Sequence, residues 1–407
     1  PAAYKVGLLL QAETVRWLAD RLDPKVPLIL DPVFATSSGS SFFDPDLLSS
    51  LREYLFHRVA LLTPNRPEAE AIVGFKLSSE ADVRRAAVQI RAQGVKAVLI
   101  KGGHNEGERL LDYFDDGGQT FFLEAIRQPG HYRGTGCTLS TALACYLAQG
   151  LELRDAVVAA HSYVQAAIAE AHSKESAHLP AHFFTPCLSN LYAGETSPKK
   201  PFTPLRRSLG FYPVLPDTAW IERLAKTGVK TLQLRIKDQS AAALRASILR
   251  AKELCEANDI TLFVNDAWQL AIECGVYGVH LGQEDLDLLS SSELETLRTS
   301  GLCLGISTHS LAEAARAQTL RPSYVALGPV FETTCKSMRF GPQGIDRVGE
   351  WVHRLPSMPI VAIGGLKLEH AAAIKAQGAN GIAVISDLIQ APNPEQRMNE
   401  WLNIWGL

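Results

Sequence analysis

From residue 210 onward the sequence repeats one pattern, a short apolar run rich in β-branched residues followed by a stretch rich in Ala, Leu, Glu and Lys. This alternation predicts parallel strands joined by helices, and eight such units in about 200 residues are what a closed (β/α)8 barrel, a TIM barrel, requires. A doubly wound open sheet shares the alternation but rarely contains eight even units, so the pattern favours the barrel. The predicted strands cover residues 211–215, 231–237, 261–266, 278–283, 303–308, 324–330, 359–365 and 381–386.

The chain before residue 176 contains fewer units of the same kind. Residues 27–32, 59–63 and 95–101 are predicted to be buried parallel strands and residues 138–149 and 155–171 helices, which together indicate an α/β layer domain. Across residues 176–209 the apolar periodicity fails and Pro, His, Ser and basic residues accumulate, which predicts a linker. We therefore expect a domain at 1–175, a linker at 176–209 and the barrel at 210–407.

Charge and composition exclude several classes of function. Lys and Arg number 40 against 43 Asp and Glu, a net charge of −3, so no overall positive field holds a nucleic acid or an acidic membrane. The apolar runs are far shorter than the ~20 residues of a membrane span. Seven cysteines at irregular spacing indicate a reducing compartment. We expect a cytoplasmic protein whose partners are small molecules; assembly into a homo-oligomer is compatible with the sequence.

The active site of a (β/α)8 barrel lies at the carboxyl ends of its strands, and polar residues collect at these predicted ends. Alternation along a strand would put Gln233, Arg235 and Lys237 on one face, where their donors converge on an anion. Asp266 and Asp285 follow the next two strands and supply the oxygen ligands that Mg²⁺ prefers. One charge at a strand end is commonly a solvated loop residue, but cations and paired acids on one rim indicate a diphosphate site.

A second anion site is predicted after the seventh and eighth strands, where barrels commonly bind phosphate through backbone N–H groups. The residues there are the Gly364-Gly365 turn and the Ile385-Ser386 pair. His280 lies within an apolar run and is expected to be an inward-facing core histidine with satisfied hydrogen bonds, not a ligand.

The barrel half resembles the thiamine phosphate synthase family. The resemblance covers Gly210 to Leu407 and rests on Gln-Leu-Arg-x-Lys, Val-Asn-Asp, Gly-Val-His-Leu-Gly-Gln-Glu-Asp, Gly-x-Ser, Gly-Pro-Val-Phe…Lys and Ala-Ile-Gly-Gly, in this order. It implies Mg²⁺-dependent coupling of 4-amino-5-hydroxymethyl-2-methylpyrimidine diphosphate with 4-methyl-5-(2-phosphoethyl)thiazole. The family's mechanism is dissociative: diphosphate leaves first, and the thiazole nitrogen captures the pyrimidine methyl cation.

The resemblance also implies roles for individual residues, with Arg235, Lys237, Ser307 and Lys336 as catalytic groups. The pyrimidine diphosphate would be held by Gln233, Leu234, Arg235, Ile236, Lys237, Asn265, Ser307 and Lys336, with Asp266 and Asp285 on the metal. The thiazole phosphate would be held by Thr333, Thr334, Cys335, Gly365, Ile385 and Ser386. The family usually has Pro-Thr-x-Thr-Lys where this chain has Glu-Thr-Thr-Cys-Lys, and since a thiol is a poor substitute for a hydroxyl donor, we expect weaker contact with this phosphate.

In the first half the strongest motif is a glycine-rich helix start, Gly134-Thr135-Gly136-Cys137, which lets several backbone N–H groups point at one anion. Glycines at a helix start also arise for packing. Further candidates at strand ends are Asp31, Asn65, Glu68 and Lys101. Glu68 could order Mg²⁺ through water, and Lys101 supplies a cation.

Together these segments resemble the hydroxymethylpyrimidine (phosphate) kinase of the ribokinase-like superfamily. The resemblance implies ATP as a substrate, an anion hole at residues 134–137, and Cys137 where most of the superfamily has an aspartate base. Asn65, Glu68 and Lys101 would belong to the ATP and anion site. The family usually has His where this chain has Arg133, and its amino-terminal Gly-rich portion has no counterpart because residues 4–10 already match a middle strand. We therefore expect an incomplete kinase domain that phosphorylates hydroxymethylpyrimidine inefficiently.

Two alternatives remain open at this point. A thiazole tautomerase keeps the same barrel but lacks the full diphosphate set, and the presence of Arg235, Lys237, Asp266, Asp285 and Lys336 argues against it. The first half could instead be a non-catalytic nucleotide-binding or oligomerisation module.

Overall fold

The computed structural model describes residues 1–34, 44–103, 108–180, 187–188, 191–194, 200–333 and 340–406. The chain divides into two compact units, Pro1–Ser197 and Pro198–Leu407. Among the described residues, no helix is both long enough and apolar enough to span a membrane.

The first unit is built on one mixed sheet whose strands follow the order of the chain. In the described part of the unit they are β1 (Tyr4–Val6), β2 (Leu28–Leu30), β3 (Val59–Leu62), β4 (Val98–Ile100), β5 (Arg109–Asp115), β6 (Thr120–Ile126) and β7 (Tyr192–Gly194). Strands β1 to β4 are parallel, and β4 to β7 are antiparallel. The predicted parallel strands are confirmed. Because β7 pairs with β6, part of the expected linker is an ordered strand of the first unit, which corrects that expectation.

Helices pack on this sheet and close its apolar core. Their bounds are α1 (Ala12–Ala19), α2 (Pro45–Ser50), α3 (Arg66–Val73), α4 (Glu80–Ala92), α5 (Thr135–Ala148) and α6 (Leu153–Ser173), with π and 3₁₀ turns at Leu51–Leu55 and Phe56–Arg58. Asn65 and Ser79 begin α3 and α4 with reciprocal side-chain to backbone hydrogen bonds that satisfy otherwise unpaired N–H groups. The two predicted helices at 138–149 and 155–171 are confirmed as α5 and α6.

The second unit is a closed barrel of parallel strands, as predicted. In the described residues its strands are β8 (Gly210–Leu215), β9 (Thr231–Leu234), β10 (Thr261–Asn265), β11 (Gly278–Leu281), β12 (Cys303–Thr308), β13 (Tyr324–Leu327), β14 (Ile360–Ile363) and β15 (Gly381–Val384). Each pairs with the next, and β15 pairs with β8 to close the ring. Fully buried parallel strands have apolar residues on both faces, which is why they appear in the sequence as continuous apolar runs.

The helices of the second unit follow the strands. They are α7 (Thr218–Leu224), α8 (Ala241–Ala257), α9 (Trp268–Cys274), α10 (Gln283–Asp287), α11 (Ser291–Thr299), α12 (Leu311–Leu320), α13 (Ile345–Arg354), α14 (Ala371–Ala376), α15 (Ser386–Ile389) and α16 (Pro394–Trp405), with 3₁₀ turns at Ala225–Thr227 and Leu368–His370.

The barrel interior is filled by large aromatic side chains. The rings of Tyr212, Phe263 and Tyr324 are in mutual contact, with centroid separations of 5.4 to 6.0 Å. Gly305 lies opposite Tyr324 in the β12–β13 register, where a Cβ would overlap the tyrosine ring. A barrel packed in this way is a solid core, so chemistry is confined to its ends.

Residues 200–209 lie at the amino ends of the barrel strands. Phe202 is buried, and its N–H donates to the carbonyl of Arg321. The Thr203 hydroxyl donates to the carbonyl of Gly301, and the Arg206 N–H donates to the hydroxyl of Tyr277. The carboxyl ends of the strands are the opposite end of the barrel.

Candidate functional site

At the carboxyl end of the barrel, β9 stops at Leu234, three residues earlier than predicted. Gln233 is buried inside the barrel, Arg235 is half-buried and Lys237 is exposed. The Arg235 N–H still donates to the carbonyl of Leu215 at 2.9 Å, so this residue remains beside β8 after the strand ends. The expectation that Gln233, Arg235 and Lys237 share one strand face is wrong, because the strand geometry that alternates side chains ends before the two cations.

Below this rim, five side chains from five strands form one continuous chain of hydrogen bonds, which we call the polar relay. Gln233 Nε2 lies 3.1 Å from Tyr212 Oη, which lies 2.9 Å from Tyr324 Oη. Tyr324 Oη lies 2.8 Å from His280 Nδ1, and His280 Nε2 lies 2.9 Å from Ser307 Oγ. The expectation of an inward, satisfied His280 is confirmed. Tyr212 and Tyr324 were missed, because in a sequence a buried tyrosine looks like any other core aromatic.

Burial changes the titration of the relay's members. It lowers the pKa of His280 to about 4, with further lowering by the charges of Arg235 and His309. Burial also raises the pKa of both Tyr212 and Tyr324 above the usual value of a tyrosine. All three side chains are therefore uncharged at neutral pH.

The two predicted metal ligands follow neighbouring strands. Asp266 comes directly after β10 with a φ of 63°, a left-handed conformation that aspartate adopts more readily than most residues, and its N–H donates to the carbonyl of His280. Asp285 is in the first turn of α10, where its Oδ2 accepts from the Gly282 N–H at 2.8 Å. Asn265 pairs with His280 across β10 and β11.

This donor set fits Mg²⁺, which is commonly held by one or two carboxylates with substrate phosphates and water completing its octahedron. Only one oxygen of Asp285 is used by the Gly282 N–H, so the other can serve as a ligand. Within the described ranges, no three His, Cys, Asp or Glu side chains form a cluster that could hold a metal alone.

The second predicted anion site lies after β14 and β15, which are neighbours in the barrel. Gly365 has a φ of 63° and lies so close to the backbone of Phe331 and Glu332 that a side chain there would overlap it. Ile385 and Ser386 begin the short helix α15, and Thr333 lies on the segment after β13. Thr334, Cys335 and Lys336 lie outside the described residues.

Gln283 is a further polar residue at this end. It stands at the predicted end of a strand, but the sequence assigned it no role. Its Nε2 donates to the carbonyl of Ser307 at 2.8 Å, and its Oε1 accepts from Arg316 at 3.1 Å. It thereby ties the end of β12, which carries Ser307, to helices α10 and α12.

In the first unit, the carboxyl ends of β2, β3 and β4 bring together a buried ion pair. Lys101 Nζ lies 2.8 Å from Asp31 Oδ1, and the aspartate is almost fully buried. The hydroxyls of Thr63 and Ser140 donate to the same carboxylate, each at 3.3 Å. Ser140 is on α5, so this contact joins the helix to the strand ends. The sequence assigned no role to Thr63 or Ser140.

The glycine-rich helix start lies next to this pair. Gly134 caps α5 with a φ of 79°, and Cys137, in the first turn, is exposed. A Cβ on Gly136 would lie 3.2 Å from Lys101 Nζ, so the lysine amine is at the helix start. The structure therefore brings the lysine and the first turn of α5 together, and the N–H groups of a helix start attract anions.

Glu68, in the first turn of α3, is the remaining candidate residue of this site in the first unit. Its Oε2 accepts from the Asn65 N–H at 2.7 Å, and its own N–H donates to Asn65 Oδ1 at 2.9 Å. Burial raises the pKa of Glu68 to about 7, although the charge of Lys101 and the hydrogen bond from Asn65 oppose the rise. This carboxyl group therefore changes charge close to neutral pH.

Comparison with known proteins identifies both units. Residues 214–388 match the family described as thiamine monophosphate synthase, and residues 1–182 match the family described as phosphomethylpyrimidine kinase. The thiamine-phosphate synthase of Neisseria meningitidis serogroup A is 42% identical over 204 residues, which are 50% of this chain and 98% of that protein. The chain belongs to the thiamine-phosphate synthase family.

Solved structures of both kinds are also similar to the chain. Thiamine phosphate pyrophosphorylase from Pyrococcus furiosus is 26% identical, covers 49% of this chain and 96% of that one, and has a TM-score of 0.43. Phosphomethylpyrimidine kinase from Clostridium difficile is 33% identical, covers 41% and 69%, and has a TM-score of 0.36. The two family matches show that a kinase domain precedes the synthase domain in this chain, which is an enzyme of thiamine biosynthesis. None of these matches favours the tautomerase alternative.

Proposed function

We propose that the barrel couples hydroxymethylpyrimidine diphosphate to thiazole phosphate at the carboxyl ends of its strands and releases diphosphate. The observation that carries this proposal is the rim itself: Arg235, Asp266 and Asp285 follow three neighbouring strands, β9, β10 and β11. A cation and two carboxylates at one edge suit a metal-bound diphosphate better than any singly charged substrate.

In this proposal the chain's residues act mainly on the leaving group. When the carbon–oxygen bond breaks, negative charge grows on the departing diphosphate, and Arg235, Lys237 and Lys336 stabilise it more than they stabilise the ground state. Gln233, Leu234, Ile236 and Asn265 hold the pyrimidine end, and Ser307 donates to the diphosphate. The aromatic interior beneath the rim excludes water, which would otherwise capture the pyrimidine methyl cation before the thiazole nitrogen does.

Mg²⁺ fits Asp266 and Asp285, and when bound it would neutralise charge on the diphosphate oxygens. Thr333, Thr334, Cys335, Gly365, Ile385 and Ser386 are proposed to hold the thiazole phosphate. The close approach of backbone at Gly365 supports this role, because backbone N–H groups can reach a phosphate where no side chain intervenes.

The test is formation of thiamine phosphate from the two synthetic substrates and MgCl₂, measured by fluorescence after oxidation to the thiochrome. Arg235→Ala is expected to lower kcat about 10- to 100-fold, the effect of losing one hydrogen bond to a charged group. Arg245→Ala is the matched control, because Arg245 is half exposed on α8 and pairs only loosely with Glu273, at 3.7 Å. Equal rates for the two variants, or no product from the unmodified chain, would refute the proposal.

We also infer that the first unit binds the phosphates of ATP at the start of α5. The approach of Lys101 to Gly136 supports this inference, together with the glycine-rich turn at 134–137. Asn65 and Glu68 complete the site, and Cys137 is proposed as the base for the transferred phosphoryl group.

Gly136→Ala tests this site, since the added methyl group would crowd Lys101 and cover the N–H groups of the first turn. Calorimetric titration of the full chain with Mg-ATP is expected to show at least about tenfold weaker binding, equivalent to ~1.4 kcal/mol. Thr141→Ala, an exposed position on the same helix, should bind as the unmodified chain does. Unchanged affinity of the Gly136 variant would place the nucleotide elsewhere.

A further inference from the structure

We propose that Tyr212 and Tyr324 are positioning residues for the synthase reaction. The two hydroxyls set the direction of the hydrogen bonds in the polar relay, so that the hydroxyl hydrogen of Ser307 is available to the substrate. The proposal rests on the proposed function of Ser307 as a donor to the diphosphate. It concerns two hydroxyls inside the barrel, where burial is essentially complete.

The polar relay connects five strands of the barrel. Its members come from β9, β8, β13, β11 and β12 in that order, and each of its four contacts lies between 2.8 and 3.1 Å. These are ordinary hydrogen-bond distances, so each contact places one hydrogen between two heavy atoms. The relay begins at Gln233 and ends at Ser307, both of which lie at the end of the barrel that holds the proposed site.

The donors and acceptors of the relay determine the direction of its hydrogen bonds. Gln233 Nε2 is a donor only, so Tyr212 Oη accepts from it. Among the described residues the remaining partner of the Tyr212 hydroxyl is Tyr324 Oη, so the buried Tyr212 hydrogen goes there, because otherwise it would have no acceptor. Tyr324 Oη then accepts from Tyr212 and gives its hydrogen to His280 Nδ1. A nitrogen that accepts carries no proton, so the imidazole hydrogen is on Nε2, and this group donates to Ser307 Oγ.

This direction determines which group Ser307 can offer to the substrate. Its oxygen is occupied as an acceptor, and among the described residues the hydroxyl makes no hydrogen bond other than the one with His280. The serine hydrogen therefore remains available for an oxygen of the substrate. In the opposite direction Ser307 would donate to His280 Nε2 and would present only lone pairs to the diphosphate, which repel a developing negative charge.

The rings that carry the two hydroxyls cannot easily turn away. Tyr324 packs edge-on against Phe263 and Tyr212, stacks near the His280 ring, and covers Gly305. Buried hydroxyls that lose their partners cost about 1–3 kcal/mol, so the arrangement resists local rearrangement. The direction of the relay is thus part of the folded barrel before substrate arrives.

The experiment is ¹⁵N NMR of the histidine side chains in the full chain, with the His280 signals assigned by their loss in His280→Gln. The proposal expects the Nε2–H tautomer. Tyr324→Phe deletes the hydroxyl that donates to Nδ1, so the Nδ1–H tautomer should appear and kcat should fall about 10- to 100-fold while KM for thiazole phosphate stays within about twofold. Tyr277→Phe makes the same chemical change at the opposite end of the barrel strands and should alter neither quantity.

A protonated Nδ1 in the unmodified chain would overturn the proposal, and so would an unchanged kcat in Tyr324→Phe. If Tyr324→Phe fails to fold, Tyr212→Phe replaces it: this variant keeps the Tyr324–His280 contact but loses the donor that fixes its direction, and it should show a mixture of tautomers. The tautomer is measured without substrate, so the relay is judged even if no thiamine phosphate forms. Absence of product from the unmodified chain would count against the proposed function, not against the relay.

Discussion

Glu68 is a single carboxyl group whose surroundings make it sensitive to small changes in pH. Its usual pKa of 4.5 is raised to about 7, mainly by burial. At pH values between 4.5 and 7, Glu68 holds a proton in the folded chain that it has lost in the unfolded chain. Stability from this group is therefore fully present below pH 4.5 and falls as the pH rises through 7, by about 3 kcal/mol in total.

We predict that a ¹³C-carboxyl signal of glutamate-labelled protein titrates near pH 7 and is absent in Glu68→Gln. The substitution keeps an acceptor for the Asn65 N–H, so the start of α3 should remain intact. In urea titrations the variant should also lose the part of the pH dependence described above, which makes it more stable than the unmodified chain at pH 8. Glu70→Gln, two residues further along α3, should leave the signal in place. Titration of every glutamate below pH 6 would contradict the prediction.

Some residues of the candidate site could be identified from the sequence and others could not. Arg235, Asp266 and Asp285 were found because charged residues at the ends of apolar runs stand out. Tyr212 and Tyr324 were not, since their function as relay members depends on contacts between strands that are distant in sequence. Such contacts exist only after the barrel has closed.

Between neighbouring strands, the pairing of Gly305 with Tyr324 shows how β12 makes room for a side chain of β13. A Cβ at Gly305 would overlap the tyrosine ring, and the ring has no free space because Phe263 and Tyr212 pack against it. The glycine thus sets the position of the Tyr324 hydroxyl through packing between two strands.

Gly305→Ala is predicted to destabilise the barrel by about 1–3 kcal/mol, the usual cost of an overfilled core. Urea unfolding followed by tryptophan fluorescence measures this, because five of the six tryptophans, Trp220, Trp268, Trp351, Trp401 and Trp405, are in the second unit. Gly341→Ala, where a Cβ meets nothing within 4 Å, is the control and should change stability little. Identical midpoints for both variants would show that the ring can move aside.

Elements differed in how well they could be predicted. The barrel strands were found because buried parallel strands are continuous apolar runs, which local sequence reveals. The predicted ends of β8 and β12 match the structure, but those of the other six strands were placed too late. At β9, for example, the pattern Gln-Leu-Arg-x-Lys continues after the hydrogen bonding of the strand has stopped at Leu234. The antiparallel strands β5 to β7 were missed, and β7 could not be found locally because its three residues become a strand only by pairing with β6.

The second unit of the molecule begins before its first strand, β8. Phe202 is buried, Leu205 packs against the core cluster inside the barrel, and Thr203 accepts from the Ser323 hydroxyl. Residues 200–209 therefore belong to the folded barrel, although they fall inside the linker predicted at 176–209. We propose that the synthase domain starts at Pro198, where the second unit starts.

A chain of residues 198–407 is accordingly predicted to keep the synthase kcat of the full chain within about twofold, because a closed barrel has its own core. A chain of residues 210–407 should be less stable by about 3 kcal/mol or more, since it exposes the surface that Phe202 and Leu205 cover. Thermal unfolding and the thiamine phosphate assay measure both. Equal stability of the two shortened chains would return the boundary to residue 210.

The polar relay also constrains how this barrel can change over generations. Its five side chains lie on five strands, and replacing one of them by an apolar residue leaves a buried polar neighbour without a partner. A lineage that abandons the relay must pass through such weakened intermediates or change several codons together. We therefore expect relatives of this chain either to keep all five relay residues, Gln233, Tyr212, Tyr324, His280 and Ser307, or to lack most of them. Counting substitutions at these five positions in aligned sequences would reveal this pattern of joint descent.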